Sequence, residues 1–184
     1  MAVKSNLTNM VLVLGLTCLF CSAVLGGAYV ITKEPIAAAA VEKTNKAIAQ
    51  VLPYFTETQY NQEGKYYTAT DGDNLVGYAI ESTSVGFGGD LTLMVGITPD
   101  GVVYYTSVLA HSETPGLGAK CTSDPKFIGQ WKGFNPSVKK LIVKKDGGDV
   151  DAITASTITS RAYTQAVENA LNTFAEITGG QDNE

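Results

Sequence analysis

Hydrophobic and polar positions follow three different patterns along the chain. Between Lys4 and Lys33 there is no charged residue, and Met10 to Ile31 is almost wholly apolar. As a helix this run is long enough to cross a hydrocarbon core of about 30 Å. From Ile36 to Leu52 a helical face carries Ala37, Ala40, Val41, Ile48, Val51 and Leu52, with Pro35 suited to its first turn and Pro53 ending it. Tyr54 to Gly64 reads as a polar loop with aromatics. After Lys65 the period becomes two. Tyr66 to Thr70 and Leu75 to Ser82 are predicted strands around the turn Asp71-Gly72-Asp73-Asn74. Leu91, Leu93, Val95 and Ile97 alternate with Thr92, Met94, Gly96 and Thr98, and Pro99-Asp100-Gly101 turns the chain into a strand over Val102 to Leu109. A later strand is predicted over Val138 to Lys144. The period then returns to helical: Tyr163, Val167, Ala170, Leu171, Phe174 and Ile177 mark a helix that starts near Thr157 or Thr159 and stops at Gly179-Gly180.

These periods predict an α+β protein: an N-terminal transmembrane helix, then an antiparallel sheet flanked by helices. The expected division is an anchor over 1–33, a connecting helix and loop over 34–64, and a soluble domain over 65–184. A cleavable signal peptide is the competing reading of the first segment, since Ala23 to Ala28 is rich in small residues. The apolar run exceeds the ~7 to 15 residues of a signal-peptide core, which favours the anchor. Lys4 is balanced by Lys33, Lys43 and Lys46, so charge orients the anchor only weakly. A short N-terminal tail before one span most simply leaves the soluble domain outside the cytoplasm. The 184-residue chain carries a net charge of −5, and every acidic residue follows Ile31. Such a surface argues against nucleic acid as a partner. Beyond the anchor Cys121 is the only cysteine, which leaves no internal disulfide and no cysteine cluster for iron–sulfur or zinc.

Two stretches carry candidate chemistry. Between Asp151 and Ser160 the chain offers hydroxyls at Thr154, Ser156, Thr157, Thr159 and Ser160, at the start of the last helix. The first N–H groups of a helix lack intrahelical partners and its dipole is positive there, so a phosphate gains several hydrogen bonds at that end. Arg161, the only arginine, lies one turn beyond Thr157. The alternative is a plain helix cap by Ser156, Thr157 or Thr159. The second stretch, Ala110 to Lys120, holds the only histidine, His111. Pro115, Gly116 and Gly118 bend the backbone into a path that can pass close to a flat ligand, and Glu113 and Thr114 offer polar contacts to a ring edge. An ordinary strand-to-loop turn is the alternative. No nucleophile-elbow, phosphate-loop or dinucleotide glycine pattern is present.

Asp-x-x-Thr-x-x-Thr followed by Thr-Ser-Arg (Asp151 to Arg161) and His-x-Glu-Thr-Pro-Gly-Leu-Gly (His111 to Gly118) together resemble the two hallmarks of the FMN-binding subunits of the Rnf and Nqr respiratory complexes. The resemblance implies that 65–184 is an FMN-binding domain and that FMN is covalently attached through a phosphoester to Thr157. Asp151, Thr154, Ser156, Thr159, Ser160 and Arg161 would surround the phosphate, and Glu113, Thr114, Leu117 and Gly118 would border the isoalloxazine ring. One position departs from the family pattern: Ser/Thr-Gly-Ala-Thr is usual, and this chain has Thr154-Ala155-Ser156-Thr157. Alanine in place of glycine disfavours a left-handed backbone. The turn Gly86-Phe87-Gly88-Gly89 also resembles a family feature, although a flexible hairpin turn explains it more simply than cofactor contact does. Phe127 and Trp131 are candidates to cover a flavin face, or core residues.

Within the family, the short chain and Ser112 are more similar to the G subunits of Rnf than to the C subunits of the sodium-pumping quinone reductase, which stay as the alternative. The resemblance implies an electron-carrier subunit of an inner-membrane complex that passes electrons between ferredoxin and NAD while moving Na+ or H+. Its implied partners are the other membrane subunits and a flavin-attaching transferase. A flavin-free, membrane-anchored interaction or sensor domain is the non-redox alternative.

Overall fold

The computed structural model describes residues 6–62 and 64–181. The chain divides into two compact units, Met1–Glu42 and Lys43–Glu184. Helix α1 spans Leu7–Val51 and keeps Pro35 inside it. The separate anchor and connecting helices expected on either side of Lys33 are therefore one helix. Pro35 removes only one hydrogen bond, and the run Ala37 to Ala40 after it has the best helix propensity available. In the first unit Leu12, Leu16, Leu19, Phe20 and Leu25 are exposed, and α1 is long and apolar enough to cross a membrane.

The second unit is built on a five-stranded antiparallel meander in the order β1-β2-β3-β4-β5: Glu57–Asn61, Tyr66–Asp71, Asn74–Val85, Asp90–Ile97 and Val103–Ala110. Of the five strands predicted after Lys65, the first four form with the expected turns. Strand β1 lies where a polar loop was expected. All five of its side chains are exposed, so it has no buried face to generate an alternating pattern. It is held instead by backbone pairing with β2, and by Tyr60, whose ring lies 4.7 Å from that of Tyr67.

Both faces of the sheet are covered, which is why β4 is apolar at nearly every position. On one face Leu91, Leu93, Val95 and Ile97 pack with Tyr78, Ile80 and the inner side of α3 (Thr157–Gln181), which supplies Tyr163, Ala166, Val167 and Ala170. On the other, Met94, Ala69 and Ala79 pack against Ala47, Ile48 and Val51 from the end of α1 and Leu52 just beyond it. Helix α3 runs through Gly179 and Gly180 to Gln181, so the glycine pair does not stop it.

The strand expected over Val138 to Lys144 is absent. The backbone there folds into turns on Asn135, whose carbonyl accepts from the N–H groups of Val138 and Lys139, and only Val143 makes a bridge, parallel, to Val150. A 3-10 turn over Lys144–Asp146 follows. The apolar side chains of this segment do not alternate strictly, and Phe134 bridges Val103 at the start of β5. Phe127, from the short helix α2 (Pro125–Gly129), and Trp131 are core residues. The Trp131 ring stacks on Tyr163 at 5.1 Å, and Phe127 meets the same ring edge-on at 5.0 Å. They cover the inside of α3 and are not at the site described next.

Candidate functional site

A buried carboxylate ties the site together. Glu113 follows β5 and is only 5% exposed. Its Oε1 accepts hydrogen bonds from the backbone N–H of Phe87 at 2.7 Å and of Gly88 at 3.4 Å, while Oε2 accepts from the Thr159 hydroxyl at 2.7 Å. Its own N–H donates to His111 Nδ1 at 3.2 Å. A buried carboxyl group with this many hydrogen bonds escapes much of the penalty for burial. The β3–β4 hairpin, the loop after β5 and the first turn of α3 therefore meet at one side chain. Their closeness demands glycine at three points, the first being Gly86, where a Cβ would lie 2.1 Å from Glu113 Oε1. A Cβ on Gly88 would lie 2.0 Å from the Ser112 carbonyl oxygen, and one on Gly118 would lie 2.3 Å from Glu113 Oε2 and 2.7 Å from Thr159 Oγ1.

The hydroxyl-rich stretch forms a turn and then α3. Ser156 N–H donates to the Ile153 carbonyl at 3.0 Å, and Ala155 sits at φ +61. This is the position of a type II turn at which glycine is favoured. The left-handed backbone that the alanine substitution was expected to disfavour is thus adopted all the same. The Ser156 carbonyl accepts from Ser160 N–H at 3.0 Å and so opens the helix. Ser160 is structural: its hydroxyl donates to the Ser156 carbonyl and accepts from Ile153 N–H, both at 2.9 Å. Ser156 Oγ is different, because it is buried with no hydrogen-bond partner. Thr157 is half-buried, and its Oγ1 accepts from Lys145 Nζ at 3.2 Å.

These pieces enclose a cavity of about 350 Å³. Of the residues singled out from sequence, Glu113, Thr114, Leu117, Gly118, Ser156, Thr157 and Thr159 line it. Four others do not. Thr154 is exposed on the preceding turn, and Ser160 faces inward to the backbone. Asp151 pairs with Lys144 at 2.7 Å. Arg161 is clamped to Asp146 by two hydrogen bonds of 2.7 Å, Nε to Oδ2 and Nη2 to Oδ1. One turn of helix does bring Arg161 near the Thr157 face, but Asp146 captures its guanidinium away from the cavity. Phe87, Ala155 and Ile158 complete the lining and were not anticipated. Phe87 comes from the glycine-rich turn that was expected to be a plain hairpin, and the aromatic between glycines was the available signal. Lys145 was also missed. Its signal was a basic pair in the turn that leads into the hydroxyl stretch.

In the core, burial pushes the Cys121 thiol up to about 11, with the Glu113 charge adding to the effect. Burial likewise raises Tyr163 well above the ordinary phenol value, against a 2.8 Å hydrogen bond with Thr106.

A cleft with apolar walls, a helix N-terminus and an orphan hydroxyl at one end fits a flat ring carrying a phosphate. Ser156 Oγ supplies the missing donor or acceptor for such a group, and Phe87, Leu117 and Ile158 supply apolar area. Comparison with known proteins agrees with this class: residues 86–172 match the FMN-binding domain family. The chain is 34% identical to the G subunit of a proton-translocating ferredoxin:NAD(+) oxidoreductase complex from Clostridium ljungdahlii, over 98% of this chain and 94% of that one. It is 36% identical to the G subunit of an ion-translocating oxidoreductase complex from Haemophilus influenzae, over 82% of each chain, and 30% identical to that of Methanosarcina acetivorans, over 94% and 96%. Among solved structures, the C subunit of a Na(+)-translocating NADH-quinone reductase from Parabacteroides distasonis overlays with a TM-score of 0.47, at 25% identity over 60% of each chain. The chain belongs to the family of G subunits of ion-translocating oxidoreductase complexes.

Proposed function

We propose that this chain is the FMN-carrying electron-transfer subunit of a membrane-bound complex that passes electrons between ferredoxin and NAD and moves Na+ or H+ in doing so, and that Thr157 holds the FMN as a phosphoester. The observation that carries the reading is the coincidence, in one cavity, of the Thr157 hydroxyl, the start of α3 and the unpartnered Ser156 Oγ. Bound FMN supplies one- and two-electron redox chemistry that no side chain here provides. The protein's part is to bind and orient. Thr114, Leu117, Phe87 and Ile158 would hold the ring, and the first N–H groups of α3 with Ser156 Oγ would hold the phosphate. Glu113 fixes three segments so that the walls stand at a defined separation.

Attachment would form the bond from Thr157 Oγ1 to phosphorus and break a phosphoanhydride in the flavin nucleotide donor, with the hydroxyl proton leaving on the displaced phosphate. Condensation with a free phosphate is uphill in water, so a transferase using an anhydride donor is required. An ester link suits a domain outside the cytoplasm, where a dissociated FMN is not readily replaced. The partners are the other membrane subunits of the complex and that transferase.

Intact mass of the membrane-extracted protein, followed by peptide mapping, tests the assignment. One FMN on the peptide bearing Thr157 is expected. Thr157→Val should give a folded, colourless protein, while Thr154→Val should keep its flavin because Thr154 lies outside the cavity. Flavin retained in Thr157→Val overturns the site, and an unmodified wild-type chain favours the flavin-free scaffold. Protease added to intact spheroplasts should digest the second unit; full protection would reverse the topology.

A further inference from the structure

We propose that Lys145 is the cation of this site, orienting the Thr157 hydroxyl for esterification and neutralising the phosphoester once it is formed; this rests on the reading that Thr157 carries FMN. Three basic side chains flank the start of α3. Lys144 is held by Asp151 at 2.7 Å, and both oxygens of Asp146 are taken by Arg161. Lys145 instead donates to Thr157 Oγ1 at 3.2 Å. That oxygen is the atom that becomes the bridging oxygen of the ester.

The contact has little value to the fold alone. Lys145 is exposed, so its hydrogen bond to a neutral hydroxyl and its attraction to the neighbouring Asp146 carboxylate, whose oxygens Arg161 already holds, add little to stability. Its chemistry changes when a phosphate arrives. A cation donating to Oγ1 turns the O–H bond away from itself. The phosphodiester then carries one negative charge, which one lysine on a flexible stem matches with a charge-assisted hydrogen bond. Ser156 Oγ, 6% exposed and without a partner in the same cavity, points to a polar group at this end by an independent observation. The turn that presents Lys145 is fixed from both sides, by the Val143 bridge to Val150 and by the Asp146 clamp on Arg161. Arg161, expected from sequence to meet the phosphate, acts through this turn as a positioning residue.

The test uses the full-length chain in membranes, as Lys145→Gln and Lys145→Arg, with the flavin-attaching enzyme limiting. Two quantities are read: the rate of covalent flavin incorporation, and the ³¹P resonance of the attached ester in native protein. Lys145→Gln should slow incorporation about tenfold, the worth of one charge-assisted hydrogen bond. It should also move the ³¹P resonance towards that of the denatured protein, while Lys145→Arg recovers both. Wild-type rate and an unshifted resonance in Lys145→Gln overturn the role of Lys145 and leave Thr157 as the acceptor. Equal slowing in both variants with an unshifted resonance also overturns it, since a lost charge is then not the cause. Wild-type protein whose flavin is absent, or sits on a residue other than Thr157, removes both readings together.

Discussion

The Thr159 hydroxyl donates to Glu113 Oε2 at 2.7 Å and joins positions 46 residues apart. The other oxygen of the same carboxylate holds the β3–β4 hairpin through Phe87 N–H. Removing the carboxylate leaves the buried Thr159 hydroxyl without a partner, at roughly 1–3 kcal/mol, and frees the part-buried Phe87 N–H, so that the hairpin loses its tie. Glu113→Ala should therefore lower unfolding stability by about 3 kcal/mol, and Glu113→Gln by much less, because the Thr159 hydroxyl can reverse and accept from the amide. Urea unfolding of the detergent-solubilised protein, followed by the fluorescence of the single tryptophan, Trp131, gives both values. A double-mutant cycle with Thr159→Val should show a coupling of at least ~0.5 kcal/mol. Additivity would mean that the two segments are held by something else.

At Ala155 the backbone takes φ +61, which a side chain with a Cβ resists by roughly 1–2 kcal/mol. Ala155→Gly relieves that strain and loosens the unfolded chain by about 0.4–1 kcal/mol. The net expected effect is a stabilisation of up to about 1 kcal/mol, with faster flavin attachment because the turn before Thr157 is better populated. A lower urea midpoint in Ala155→Gly would show that the left-handed turn is not strained.

Much of the sheet was legible because β2 to β5 are separated by turns that the sequence marks, and because β4 sets Leu91, Leu93, Val95 and Ile97 on one face. Strand β1 was not, since a strand with no buried side chain leaves no periodic trace. Val138 to Lys144 erred in the other direction: apolar residues were present without a partner strand to pair with. At the site, the two motifs marked most of the cavity wall. What they hid was pairing between distant segments. Asp146 claims Arg161, and Lys145 reaches Thr157, only once the turn at Lys144–Asp146 has folded against α3. The Glu113 side chain was expected at a ring edge, yet its oxygens serve backbone and hydroxyl donors, and these depend on tertiary structure.

Burial holds the Cys121 thiol up to about 11, against an ordinary value of 9.0. The folded state thus favours the neutral thiol. Its contribution to stability is complete below the unfolded value and is lost as pH rises from there towards about 11. Urea midpoints should fall over this range, first because of Cys121 and then, above pH ~10, because of Tyr163 as well. Cys121→Ala should flatten the first part of the fall. An identical slope in wild type and Cys121→Ala between about pH 8.5 and 9.5, where the unfolded thiol titrates, would assign the loss to another group.

Asp146 and Arg161 give opposite expectations under two roles for the arginine. If Arg161 is a strut that holds the Lys144–Asp146 turn against α3, cutting the clamp from either side has the same result. Asp146→Asn and Arg161→Met should then slow flavin attachment alike, and neither should add to the effect of Lys145→Gln. If the guanidinium met the phosphate, Asp146→Asn would free it to do so and attachment would hold or quicken, while Arg161→Met alone would suffer. The two-bond geometry at 2.7 Å, and a carboxyl held below the usual aspartate range by its hydrogen bond from Arg161, favour the strut. That depressed value also sets the pH sign. The clamp is complete above the unfolded aspartate value and is lost only as pH falls through the lower folded one. Attachment rates of the two single variants and of each paired with Lys145→Gln decide between the roles, and a faster Asp146→Asn would return the phosphate to Arg161.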